Sequence, residues 1–270
     1  MKTRFLPFGV LLTGVAAAAC SDSTTGRVAF AVSSRPAPGG ALGAAASAAA
    51  GTPAGAPSVV AAGDSTVIAL GNDTLIVRSV EVVLREIELE RVEVADCDAI
   101  AGNGDCEEFE SGPVLVTLPL GNATTVAIAI DAPAGMYDEL EFDVHKPDDV
   151  EDATFIAMHP AFADIAIRVS GTFSQAGTRT DFTFTSDLNE QQEIVLDPPL
   201  TVSEGGATTV TLRLDISSWF LSADRTALVD PVSANKGQSN ENLVRDNIRA
   251  SIDAFRDDDR DGRDDDQEQD

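Results

Sequence analysis

Leu75-Ile76-Val77-Arg78-Ser79-Val80-Glu81-Val82-Val83-Leu84-Arg85-Glu86-Ile87-Glu88-Leu89 alternates apolar with polar residues in short groups. Leu75 to Val77 leads into Val80, Val82 and Leu84, then Ile87 and Leu89, then Val92 and Val94. Period two with β-branched residues predicts strand with one buried face, and the one-residue slip between groups predicts a bulge or a turn.

The same texture continues downstream. Val114-Leu115-Val116, Val126/Ile128/Ile130 and Tyr137/Leu140/Phe142/Val144 come first. Ile165/Ile167/Val169, Phe182/Phe184, Ile194/Leu196 and Val210/Leu212/Leu214/Ile216 follow, with Gly, Pro, Asn or Asp between nearly all of them. Upstream, Arg27-Val28-Ala29-Phe30-Ala31-Val32 alternates as well and predicts a first strand over 26–32. Many short strands at fairly even spacing predict a mainly β fold, an antiparallel β-sandwich of prealbumin-like or Ig-like type. The sandwich domain is expected over 64–222, with a short helical turn near Asp152 to His159.

Two segments break the pattern. Residues 33–63 are rich in Ala, Gly, Pro and Ser and nearly uncharged, so few side chains offset the entropy of ordering; this reads as a flexible insertion or tether. Residues 223–256 form a C-terminal extension. There Ser239 or Asn240 can cap a helix from Glu241, and Val244, Ile248, Ile252 and Phe255 share one helical face. Arg245, Asp246, Arg249 and Asp253 fall on the other, so one amphipathic C-terminal helix docked on the sandwich is expected.

The N-terminus directs the chain outward. Lys2 and Arg4 precede an apolar stretch, Phe5 to Val15, and the small residues Ala16 to Ala19, which together read as a secretory signal over 1–19. The apolar part is too short for a bilayer span. Cys20 follows directly, and the arrangement resembles the lipobox of bacterial lipoproteins, with Ala17 where that family usually carries Leu. The resemblance implies lipidation of Cys20, a lipidated N-terminus over 20–25 and attachment to the membrane through acyl chains. Ser21 after the cysteine points, by the same resemblance, to the outer membrane of the bacterial envelope, on its periplasmic or surface face.

A second resemblance lies in Asp131-Ala132-Pro133-Ala134-Gly135-Met136-Tyr137-Asp138-Glu139-Leu140. Together with Ser79 to Leu89 and Thr208 to Asp215, it is similar to a bacterial lipoprotein domain family of unknown function. The likeness spans roughly 26–216 and implies a prealbumin-like sandwich on a lipid anchor, with no catalytic residues to carry over.

Charge excludes some partners. The formal charge is -27, and removal of 1–19 takes away Lys2 and Arg4 and no acid, giving -29. Nucleic acid and anionic lipid surfaces both need basic side chains, so no nucleic-acid partner is expected. Cysteines 97 and 106 flank an acidic, Gly-containing loop with no His nearby; an oxidising envelope favours a disulfide between them.

The acidic tail, 257–270, carries the one motif with metal-ligand spacing. Asp257, Asp259 and Asp261, Gly262, Asp265 and Glu268 match the oxygen-rich calcium loop of EF-hands, and the aspartates resemble thrombospondin type 3 repeats. Asp264 stands where EF-hands carry an apolar residue, no second helix follows, and solvated acidic tail is the plain alternative. The Cys97–Cys106 loop and Asp148, Asp149, Glu151 and Asp152 are further acidic groups, the latter expected as an exposed loop.

Enzyme motifs are thin. His145 and His159 are the two histidines, and no Gly-x-Ser-x-Gly, His-Glu-x-x-His or phosphate-binding glycine loop occurs. The expectation is a non-catalytic lipid-anchored binding or structural module of the envelope, with an unknown protein or glycan partner and calcium as a stabilising ion. The alternative is a secreted hydrolase, or a hydrolase accessory domain, using a carboxylate pair among the 45 acids.

Overall fold

A computed structural model describes residues 25–34, 57–92, 108–120, 124–257 and 259. Within them the protein is mainly β, with a sandwich-like arrangement of two sheets around one core. The four-stranded sheet holds β1 (Thr25–Ser33), β7 (Thr124–Pro133), β12 (Ala207–Leu214) and β13 (Ile252–Arg256) in the order β13-β12-β1-β7.

The larger sheet is organised by β4 (Asp73–Arg91), which is 19 residues long. Its first half lies between β3 (Thr66–Leu70), continued by β2 (Ser58–Ala61), and β9 (Ile167–Gln175), continued by β10 (Thr178–Ser186). Its second half pairs with β5 (Glu108–Ser111), β6 (Val114–Thr117) and β8 (Gly135–His145), and β8 in turn pairs with β11 (Asn189–Val202). All these ladders are antiparallel; β1 with β12 in the other sheet is parallel.

The slips in the β4 sequence are bulges. Register shifts fall between Val77 and Ser79 and between Arg85 and Glu88. Each shift restores the inward phase, so Leu75 and Val77, then Val80, Val82 and Leu84, then Ile87 and Leu89 are all buried. Without the extra residues, every side chain beyond each slip would turn to the opposite face. Glu86, in the second bulge, has φ 48, a left-handed conformation. At the first bulge, Gly171 of β9 leaves no room for a side chain: an added Cβ would lie 2.0 Å from the Ile76 carbonyl oxygen.

The core joins both sheets. Val28, Phe30 and Val32 of β1 and Val210, Leu212 and Leu214 of β12 meet the inward row of β4 and Tyr137, Leu140 and Phe142 of β8. Full burial of each such side chain stabilises by about 1.5–3 kcal/mol. On the outer face of β4, Val83 is covered by Phe155 of a short helix, α1 (Ala153–Met158), and by Phe162 of the following 3₁₀ turn. The expected helical turn near Asp152 to His159 is therefore present.

The C-terminal segment departs from expectation. Helix α2 (Glu241–Arg249) buries Val244 and Ile248 in the main core, then stops. Ile252 and Phe255 do not continue its face; they belong to β13, which pairs with the free edge of β12. That edge offers a row of unpaired backbone groups from Val210 to Leu214, and pairing them outweighs two more residues of helix. The side chain of Ser251 marks the change, donating to the Ile248 carbonyl at 2.6 Å and accepting from buried Trp219 Nε1 at 2.7 Å. Asn240 is the helix N-cap residue, without a side-chain capping bond. Asn247 donates to the carbonyls of Trp219 and Leu221, at 3.0 and 2.9 Å, and so ties α2 to the chain before it.

Two further corrections concern the tether. Part of the segment 33–63 is strand, since Ser58–Ala61 pairs with β3. Moreover this segment follows β1, a strand paired on both sides, so it does not separate Cys20 from the folded domain. Only residues 21–24 do so.

Candidate functional site

The outer face of the β4/β8/β11 region carries a row of acidic side chains. Antiparallel register places Glu90 opposite Glu139, and Glu88 opposite Glu141, which is opposite Glu193 on its other side. Arg85 is opposite Asp143, which in turn is opposite Gln191. Directly opposed residues share a face, so a row of carboxylates runs across three strands. The carboxylate oxygens of Glu90, Glu139 and Glu141 lie within 4.8 Å of one another, and all three residues are half-buried.

Each of these carboxyls feels the others. Glu141 is held above the ordinary glutamate range, first by burial and then by Glu90, Glu193 and Asp143, with a hydrogen bond from Gln191 acting the other way. Glu139 is raised in the same way, by burial and then by Glu90, Glu193, Glu141 and Asp138. Asp143 is raised by burial and by Glu86, against the lowering influence of His145 and Arg85.

Arg85 closes one end of the row. Its side chain is mostly buried, and its Nε lies 3.0 Å from Oδ2 of buried Asp152, off the N–H axis, so the contact is an ion pair more than a hydrogen bond. The group 148–152 is thus not simply an exposed loop. Asp148 accepts from the backbone N–H groups of Val150 and Glu151, at 2.7 and 3.0 Å, which lowers its pKa, while Asp152 anchors the turn to β4. Cross-strand register between distant segments brings these groups together, and no local spacing announces it.

The histidines are engaged in packing contacts. His145 Nδ1 lies against the Lys146 carbonyl and 3.3 Å from Arg85 Nη1, and His159 packs on Phe155 with ring centroids 4.8 Å apart.

Two recesses lie elsewhere. One, of about 190 Å³, opens where β11 bulges away from β8 around Asp197 and Pro198 and faces Phe255. It is smaller than the roughly 300 Å³ at which small-molecule sites begin. The other, of about 450 Å³, is open and lies beside the β9–β10 turn, floored by Phe173 and Phe182 and rimmed by Thr178, Thr180 and Asp230. Asp230 is occupied there by its own turn, accepting from Val232 N–H at 3.0 Å.

Of the residues singled out by the sequence, Cys20, Cys97, Cys106, Asp261, Asp265 and Glu268 lie outside the described residues. β5 pairs with the end of β4 at Glu108–Glu90, so 92–107, which holds both loop cysteines, joins two paired strands. Asp257 is fully buried, and its carboxylate accepts from Thr211 Oγ1 at 2.8 Å while its N–H donates to the Thr209 carbonyl. The first position of the calcium formula is therefore fixed to the edge of the four-stranded sheet; Asp259, two residues on, is exposed.

No protein-family model, curated protein or solved structure matches this chain.

The raised pKa values fix a sign. A carboxyl whose folded pKa exceeds its unfolded value stabilises the fold below the unfolded pKa, and that contribution is lost as pH rises through the folded pKa. The double variant Glu139→Gln/Glu141→Gln is expected to melt about 1–3 °C higher than the parent near pH 7. The gain should shrink towards zero below about pH 4, where the parent carboxyls are protonated. Thermal melts of both proteins across this range are the check, and a parent that melts higher at neutral pH contradicts it.

Proposed function

We propose that this chain is a non-catalytic lipoprotein of the bacterial cell envelope, acylated on Cys20, attached to the outer membrane and acting as a binding or structural module. The observation that carries this is an order of features. Two basic residues, an apolar run, four alanines and a cysteine are followed within five residues by the first strand of a folded β domain. Among the described residues no helix is long and apolar enough to cross a membrane. Acyl chains on Cys20 would supply attachment without one.

The second reading is a hydrolase that uses a carboxylate pair. The raised acids Glu139 and Glu141 are what a carboxylate-pair hydrolase would need, yet neither lines either recess described above. The recess at the β9–β10 turn, with threonine hydroxyls at its rim and the nearly buried Phe173 and Phe182 beneath, is where we place contact with a protein or glycan of the envelope. The family resemblance of the Asp131–Leu140 stretch belongs to the same proposal.

Calcium enters as a stabilising ion of the acidic tail. Hard oxygen donors at alternate positions suit it, and Asp259, Asp261, Asp265 and Glu268 would supply them beyond the fixed Asp257. A calorimetric calcium titration of the processed protein is expected to show saturable binding that Asp259→Ala/Asp261→Ala/Asp265→Ala removes. Equal heats in the two proteins would assign the tail to solvated charge.

The anchor is tested in a Gram-negative host fed labelled palmitate. The parent protein should carry label and sediment with membranes, and Cys20→Ser should do neither. A parent without label contradicts the proposal.

A further inference from the structure

We infer that the sandwich stands on the lipid surface by one defined end, formed by the start of β1 and the turns at 133–135 and 203–206, with the turns at 70–73 and 175–178 pointing away. This rests on acylation of Cys20, and it follows from the length of chain between that residue and the fold. Five residue steps separate Cys20 from Thr25, and fully extended they reach at most about 18 Å.

β1 is fixed from its first residue. Thr25 is in register with Pro133, and Gly26 with Ala132, while the Thr25 carbonyl accepts from Gly205 N–H at 3.0 Å. Arg27 N–H donates to the Gly206 carbonyl at 2.9 Å. A Cβ on Gly26 would lie 2.4 Å from the Ser203 carbonyl oxygen, so strand and turn are in direct contact. As β1 is paired on both sides, it cannot peel away to lengthen the tether.

β4 relates the two ends. Its last residue, Arg91, belongs to the anchored end, donating to the Ala134 carbonyl at 2.6 Å. Its first residue, Asp73, accepts from Ala176 N–H at 3.3 Å in the β9–β10 turn. Nineteen residues of strand separate them, about 60 Å along the chain, so the second end lies well beyond the tether's reach.

Charge disfavours a recumbent pose on one face. Lying on the β4/β8/β11 face would press Glu90, Glu139, Glu141 and Glu193 against lipid phosphate. The turns at 133–135 and 203–206 carry one charged side chain between them, Glu204, and beside them Met136 is 51% exposed. The turns at 70–73 and 175–178 also carry one, Asp73, so the tether's length, not charge, chooses between the two ends.

The test uses the full chain, acylated in a Gram-negative host and reconstituted into phosphatidylethanolamine/phosphatidylglycerol vesicles with an acceptor dye on the headgroups. A clickable azido residue carrying the donor dye replaces Glu204 in one variant and Thr178 in the other; both positions are exposed. Energy transfer is expected to be several-fold stronger from position 204 than from 178, and to vanish from both when Cys20→Ser is added. Equal transfer, or stronger transfer from 178, in acylated and vesicle-bound protein overturns the orientation and leaves the anchor standing. Protein that carries no fatty acid overturns the anchor and the orientation together.

Discussion

The apolar row of β4 must face inward over 19 residues although its sequence changes phase twice, and the rest of the architecture depends on how this is met. Two bulges meet it, one at Arg78–Ser79 and one at Arg85–Glu86. Because the strand stays in phase, one long element can serve two neighbourhoods, β3 and β9 at its start, β6, β5 and β8 at its end. The bulges also re-aim the outer face. Arg85 turns towards Asp152 and the helical cap over Val83, while Glu88 and Glu90 beyond it fall opposite the acids of β8.

The two faces of this strand therefore carry different physics. The inner face supplies apolar burial continuous with β1, β12 and the C-terminal helix. The outer face gathers like charge, and the proton affinities of Glu139, Glu141 and Asp143 are raised there, first by burial and then by neighbouring acids. Natural proteins tolerate such rows where solubility or partner choice outweighs a small loss of stability.

Local pattern carried much of this. The slips between Val77 and Val80 and between Leu84 and Ile87 are visible as breaks in period two, and each is a bulge in the fold. What depends on distant segments was not legible. The parallel pairing of β1 with β12 joins residues some 180 positions apart, and nothing near Arg27 or Ala207 announces it. Ile252 and Phe255 fit the helical period of Val244 and Ile248, yet the open edge of β12 recruits them as strand. Asp257 reads as an ion ligand by spacing, while its burial against Thr211 depends on that same edge. The acid row escaped for a related reason: Glu88, Glu141 and Glu193 become neighbours only through cross-strand register.

The most direct test of the β4 account is the urea unfolding of two variants at Glu86, one with glycine in its place and one with the residue deleted. Glycine adopts the left-handed conformation freely, so Glu86→Gly should stay within about 1 kcal/mol of the parent. Deletion removes the bulge and turns Ile87 and Leu89 to the outer face, at about 1.5–3 kcal/mol for each side chain, and should lower the unfolding midpoint steeply or prevent folding. A deletion variant that unfolds at the parent midpoint would contradict the account.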